Sequence, residues 1–145
     1  MTTQRYKPHA AVWLIIEKDG QILLSHRHNT GWMDGHHTLV SGHLEEGENL
    51  TDAMIREAKE EANLSLTREE LSVCHISHRK SSDREYIDFF FITKNTNHKP
   101  ENMEPKKCKE LVWFPLDNLP TNIAPNLTIM FDAIINKRYY GEFGW

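Results

Sequence analysis

The chain has 145 residues, 39% of them hydrophobic and 26% charged. That is the balance of one ordinary globular domain, which we read as spanning residues 1–145, able to bury a core without disulfides or a structural metal. A formal net charge of -4 and a pI near 6.1 argue against a nucleic-acid polymer as partner, because phosphate-backbone binding needs a basic face, and leave small anions as candidates.

Two cysteines, Cys74 and Cys108, lie far apart with no C-x-x-C spacing, so neither a disulfide framework nor a zinc ribbon is expected and a reducing cytoplasm fits best. The stretch from Met1 to Lys7 has no apolar segment that would act as a signal peptide, and no apolar run approaches membrane-spanning length. Along the chain, Ala10 to Ile16 is a short apolar run, Lys18-Asp19-Gly20 gives a turn, and Gln21 to Ser25 resumes the pattern, which predicts a hairpin. His28 to His37 carries the turn residues Asn29, Gly31, Asp34 and Gly35 and predicts a loop presenting Trp32. Thr38 to Ser41 reads as a brief strand ending at Gly42, followed by an acidic loop from His43 to Glu48.

The spacing of Leu50, Met54, Ala58 and Ala62 predicts a helix over 50–62, with Asn49 as N-cap and Asn63 as the left-handed residue that stops it. Val73 to His78 and Tyr86 to Thr93 predict strands, the second with three consecutive phenylalanines that call for burial on both faces. Lys94 to Lys109, polar and holding Pro100 and Pro105, predicts a loop. Leu111 to Phe114 predicts a strand, and Leu127, Met130, Phe131, Ile134 and Ile135 predict a last helix from about Pro125 to Asn136. The aromatic tail from Tyr139 to Trp145 is expected to pack on the body or on a second subunit.

The chemistry concentrates in Arg56-Glu57-Ala58-Lys59-Glu60-Glu61. Residues three and four apart are helical neighbours, so Glu57 lies beside Glu60 and Glu61, and each exposed like-charge pair costs roughly 0.2 to 0.5 kcal/mol. Arg56, four before Glu60, can brace that carboxylate. Glu57 and Glu61 have no cation at helical spacing and are free for a metal.

Set out in full, Gly42, five residues, Glu48, seven residues, then Arg56-Glu57-Ala58-Lys59-Glu60-Glu61-Ala62-Asn63-Leu64 resembles the Nudix box, G-x5-E-x7-R-E-U-x-E-E-x-G-U. Asn63 stands where that pattern has Gly, and Ala58 is a small form of its aliphatic position; neither departure removes a carboxylate. The resemblance implies an α/β fold, the Nudix α/β/α sandwich with a mixed sheet between helices. It implies hydrolysis of a pyrophosphate bond, most directly in a nucleoside triphosphate or modified nucleotide to give a monophosphate and pyrophosphate. ADP-sugars, dinucleoside polyphosphates and other nucleoside diphosphate-linked compounds are the alternative substrates, and a non-catalytic nucleotide-binding module is the rival from another class. Hard carboxylate oxygens suit Mg2+ or Mn2+.

Carried over residue by residue, Glu57, Glu60 and Glu61 hold the metal with the carbonyl of Gly42, one of the three glutamates, with Glu57 the first candidate, aligns or deprotonates the water, Arg56 fixes carboxylate geometry and Glu48 braces the loop. Arg27 is either an ordinary surface arginine or a substrate-phosphate contact. Asn126 is either a plain residue at a helix N-terminus or a reader of the base, since its amide both donates and accepts. Trp32, Tyr86, Phe91 and Trp113 are candidates for stacking on a base, against a default of core packing. Glu85 is a further candidate metal ligand or base. The pairs His26-x-His28 and His36-His37 lack a second ligand cluster at zinc spacing and are taken as loop residues or substrate contacts. The partner expected is a small nucleotide, with no membrane association, and a homodimer is a further expectation.

Overall fold

A computed structural model describes residues 3–94 and 97–145. Strand β1, His9–Lys18, turns into β2, Gln21–Arg27, through Asp19 and Gly20. Both turn residues have positive φ, 52° and 75°, the type I′ geometry whose twist matches that of the flanking strands. After the loop come β3, His37–Thr38, and β4, Val40–His43. The single strand expected over 38–41 is therefore broken at Leu39, because β3 pairs with β2 while β4 pairs with β1.

That exchange of partners shapes the molecule. β1 and β2 are paired only beside their turn, at Glu17 with Ile22 and Lys18 with Gln21, and then splay apart. β1 continues parallel to β6, Glu85–Lys94, which runs antiparallel to β5, Ser72–Lys80. The outer edge of β2 is covered by antiparallel β7, Cys108–Pro115. The sheet is mixed, and a cleft opens where it splits.

Helix α1, Leu50–Ala62, and helix α2, Pro125–Ile135, cover opposite faces. Strand side chains alternate between faces, so Val12, Leu14, Ile16, Leu23 and Phe91 pack against Met54, Ala58 and Ala62 of α1. Trp13, Ile15, Ile22, Leu24 and Phe90 pack against Leu127, Met130 and Phe131 of α2. Phe90 and Phe91 thus enter separate cores, which explains the aromatic run. Met54, Ala58 and Ala62 are fully buried. The two alanines, with almost no side chain between helix and sheet, let α1 lie close against the splayed strands.

The caps of α1 match the sequence expectation. The Asn49 side chain accepts from the Asp52 N–H at 2.9 Å. Asn63 takes φ 52° and ψ 35°, and the Leu64 N–H bonds back to the Ala58 carbonyl, so the helix ends in the left-handed turn that Gly or Asn favours. The tail departs from a simple packed coil. Tyr140–Phe143 form a strand, β8, parallel to β5, and Trp145 donates its indole N–H to the His78 carbonyl at 3.1 Å. Alternation in this run is masked by aromatics on both faces, and only the exposed edge of β5 makes it a strand. Among the described residues no helix is long and apolar enough to cross a membrane.

A left-handed residue other than Gly or Asn costs roughly 1–2 kcal/mol. Asn63→Gly is therefore expected to leave denaturant stability nearly unchanged and Asn63→Val to lower it by about 1–2 kcal/mol, read from the shift in unfolding midpoint.

Candidate active site

Arg56, on the middle turn of α1, gathers the acidic groups around it. Its Nε and Nη2 donate to the two oxygens of Glu48 at 3.1 and 2.8 Å, and Nη2 also donates to the His43 carbonyl at 3.0 Å. Nη1 donates to Glu57 Oε1 at 2.9 Å and more weakly to Glu60 at 3.4 Å. The fork on Glu48 is the bidentate geometry that makes arginine–carboxylate pairs strong, and it ties the acidic loop before α1 to the helix. Arg56 reaches Glu60 as its spacing predicts, but the expectation that Glu57 stands without a cation is corrected here. Helical spacing counts neighbours by turns, whereas a long guanidinium lying along the helix edge also reaches the next residue's carboxylate.

Glu57 is fixed from the other side by Gly42 of β4. A Cβ at Gly42 would sit 2.0 Å from the Glu57 Cδ, so only glycine leaves room for that carboxylate. Burial pushes the Glu57 carboxyl up, and the Arg56 hydrogen bond opposes the shift. Glu48, held by the same guanidinium, is pushed down.

Of the box carboxylates, Glu61 has no direct ion pair among the described residues. Its Oε2 accepts the Ser41 N–H at 3.2 Å. Burial first, and the charge of Glu57 second, lift its carboxyl to about 8, with Glu104 adding to the effect and Arg27 working against it. Glu104 comes from the loop after β6, which is pinned to the end of α1 by N–H bonds from Met103 to Glu61 and from Glu101 to Ala62. Three carboxylates, Glu57, Glu61 and Glu104, therefore share one cleft wall with the more exposed Glu60 and with Gly42. Crowded carboxylate oxygens, among them a Glu61 carboxyl lifted by burial and by Glu57, are the kind of hard donor set that a divalent cation satisfies. The residues that could hold Mg2+ or Mn2+ are Glu57, Glu60 and Glu61, with Glu104 beside them.

The cleft encloses about 780 Å3, and its lining also carries cations and aromatic rings, among them Arg27, Trp32, Arg79, Arg84, Tyr86 and Lys107. Arg27 is not an idle surface side chain. Its Nε donates to the Trp32 carbonyl at 2.6 Å and its Nη2 to Thr30 Oγ1 at 2.7 Å, and its guanidinium lies 4.8 Å from the Trp32 ring centre. Asp34 closes the same loop. The Thr30 hydroxyl, with the Thr30 and Gly31 N–H groups, holds its carboxyl down at about 2. Of the aromatic candidates, Trp32 and Tyr86 line the cleft, whereas Phe91 and Trp113 pack in the α1-side core.

Asn126 lies outside the cleft lining. It sits in the first turn of α2, only 8% exposed, with a buried Nδ2 that has no hydrogen-bond partner. Glu85 faces His78 at 3.9 Å and is not brought to the glutamates. Cys108 does line the cleft; its thiol donates to the Glu110 carbonyl and accepts from Ser25 Oγ.

Sequence reasoning missed Glu104 and Arg79. Nothing local marks Glu104 within a polar loop. Arg79 carried a signal, a cation at an inward position of a strand. It is 7% exposed, forks onto buried Asp88 at 2.7 and 3.1 Å, and lies 4.1 Å from the Tyr86 ring centre. Trp13 donates its indole N–H to the same Asp88 at 3.0 Å.

A model of the NUDIX domain matches residues 5–133. The chain belongs to the Nudix family. It is 39% identical over 129 residues to an NAD-capped RNA hydrolase NudC of Photorhabdus laumondii, covering 87% of this chain and 47% of that protein. It is 34% identical over 113 residues to an ADP-ribose pyrophosphatase of Methanocaldococcus jannaschii, covering 78% and 65%. The chain thus spans about half to two-thirds of the length of those relatives. Among solved structures, a MutT NUDIX hydrolase from Burkholderia pseudomallei superposes with a TM-score of 0.79 at 23% identity, covering 88% of this chain and 98% of that one. A MutT protein from Methanosarcina mazei gives 0.80 at 17%, covering 92% and 98%. These likenesses establish the shared Nudix fold.

The raised Glu61 carboxyl has a consequence for stability. Between the ordinary carboxyl range and about 8 the folded chain keeps a proton that the unfolded chain has lost, so stability falls as pH rises through that window and levels off above it. In metal-free protein Tm is expected to decline from pH 5 to pH 8, and Glu61→Gln is expected to flatten that decline and raise Tm at pH 8, as read by thermal melts across pH.

Proposed function

We propose that this Nudix chain hydrolyses a pyrophosphate bond in a small nucleotide with the help of Mg2+ or Mn2+. The observation that carries the reading is the gathering of Glu57, Glu60, Glu61 and Glu104 in one cleft that is also lined by cations and aromatic rings, with the buried Glu61 carboxyl lifted to about 8 beside Glu57. A divalent ion bound there neutralises pyrophosphate oxygens and lowers the pKa of a bound water. The chain's own residues do the rest. Arg56 and Gly42 hold Glu57 in one position, so the Glu57 carboxylate can align or deprotonate the attacking water with the oxygen that Arg56 does not engage. Gly42 also offers a backbone carbonyl next to the glutamates. Arg27 orders the loop that presents Trp32, and Arg84 and Lys107 add positive charge for the phosphates.

For the substrate, a nucleoside triphosphate or modified nucleotide, split to monophosphate and pyrophosphate, is the first reading. Trp32 and Tyr86 give it flat faces for a base, and stacking contributes roughly 1–3 kcal/mol per base in nucleic-acid systems. A base-recognition role for Asn126 rests on its unpaired buried Nδ2, although the side chain lies outside the cleft lining. The second reading is a nucleoside diphosphate-linked compound, favoured by the relatives named for NAD-capped RNA and ADP-ribose.

Incubation with a panel of nucleoside triphosphates, ADP-ribose and dinucleotides, with product identification and Mg2+ present or chelated, separates the readings. Release of pyrophosphate from triphosphates is expected, at least 100-fold slower in Glu61→Gln, the scale on which loss of a positioned catalytic group acts (~10²–10⁴). Turnover unchanged by chelation or by Glu61→Gln would refute metal-dependent hydrolysis, and two monophosphates from dinucleotides alone would select the second substrate class. Asn126→Ala is expected to change the ranking of bases, and an equal effect on every nucleotide would remove it from base recognition.

A further inference from the structure

The two histidine pairs of the sequence each send one member to a common point that no local spacing announces. His26 of β2 and His37 of β3 are register partners, and their rings stack at 4.4 Å between centres. On the other edge of β2 the register with β7 slips. Between Ser25 opposite Leu111 and Arg27 opposite Cys108, β2 has one residue, His26, and β7 has two, Lys109 and Glu110. This bulge re-aims Glu110, and one nitrogen of each ring and one Glu110 carboxylate oxygen lie within 4.8 Å of one another. Ser25 and Arg27 line the glutamate cleft, whereas strand alternation turns His26 to the face of Leu24 and the α2-side core. None of His26, His37 and Glu110 lines the cleft.

The hydrogen bonds around the rings fix their tautomers. His26 Nε2 lies 3.2 Å from the Gly35 carbonyl. A carbonyl only accepts, so Nε2 carries the hydrogen and Nδ1 has the lone pair. That Nδ1 is buried and has no partner. Asn122 Nδ2 donates to the same Gly35 carbonyl at 2.8 Å, which turns its Oδ1 toward His37 Nδ1, also at 2.8 Å. His37 therefore carries its hydrogen on Nδ1 and keeps a lone pair on Nε2. A ring N–H anchored to a carbonyl or amide oxygen while the other nitrogen stays bare is the support that metal-binding histidines characteristically have.

We propose that His26, His37 and Glu110 bind a divalent transition metal of the zinc class, on the sheet face opposite the glutamate cleft. Two imidazoles and a carboxylate suit Zn2+ with water in the fourth position, and nitrogen donors discriminate against Mg2+. Exposed Glu110 leaves an entry path. The site brackets the loop from residue 28 to 36, so a bound ion clamps together both ends of the segment that carries Trp32 into the cleft. The site stands independently of the substrate reading, since its ligands lie outside the cleft.

The test is calorimetric titration of the whole chain with Zn2+ in millimolar Mg2+, which occupies the carboxylate site. Wild type and Glu61→Gln are expected to bind one Zn2+ per chain with similar affinity. His26→Gln and Glu110→Gln, with circular dichroism matching wild type, are expected to bind at least about tenfold more weakly. Glu110 is exposed, so its variant decides the matter if His26→Gln does not fold. Absence of Zn2+ binding by wild type, unchanged affinity in Glu110→Gln, or loss of binding in Glu61→Gln would each overturn the site.

Discussion

A single guanidinium limits how much negative charge α1 can carry, and the arrangement of the site follows from where it is directed. Arg56 commits two nitrogens to Glu48 and a third to Glu57, so its one positive charge is shared between two of the four box carboxylates. Two like charges about 4 Å apart repel by roughly 4 kcal/mol at an effective dielectric near 20, about ten times the cost on an exposed helix surface. The chain does not supply a second arginine for Glu61. It leaves that carboxyl protonated at neutral pH, a state that a divalent cation can displace.

The split in the sheet gives this charge a place to act. Because β1 leaves β2 for β4, and β2 leaves β1 for β3, the backbone opens beside Gly42 and admits the Glu57 side chain. The same opening is lined by the glutamates and by Arg27, Trp32 and Tyr86. A continuous β1–β2 ladder would fill that space with hydrogen bonds, so the cleft depends on the strands exchanging partners.

The strand that carries Arg27 toward the cleft carries His26 away from it. Both faces of β2 thereby meet at the loop from residue 28 to 36, whose conformation is held by Arg27 on one side and by the Gly35 carbonyl, shared by His26 and Asn122, on the other. The wall of the cleft is as rigid as those two sets of bonds make it.

The sequence alone determined what depends on neighbours along the chain. Helical spacing and caps gave α1 from Leu50 to Ala62, the Asp-Gly turn gave the first hairpin, and the box positions gave the glutamates and their family, because these signals are set by local backbone geometry. Only the tertiary structure decided which separate segments meet. It turned the tail into β8 by offering it the edge of β5, sent Arg56 to Glu57, and brought Glu104 to the glutamates while keeping Glu85 away. It also placed His26 and His37 together opposite a bulge that holds Glu110. Strand pairing joins residues many positions apart, and a register that only the packed sheet fixes leaves no period in the sequence.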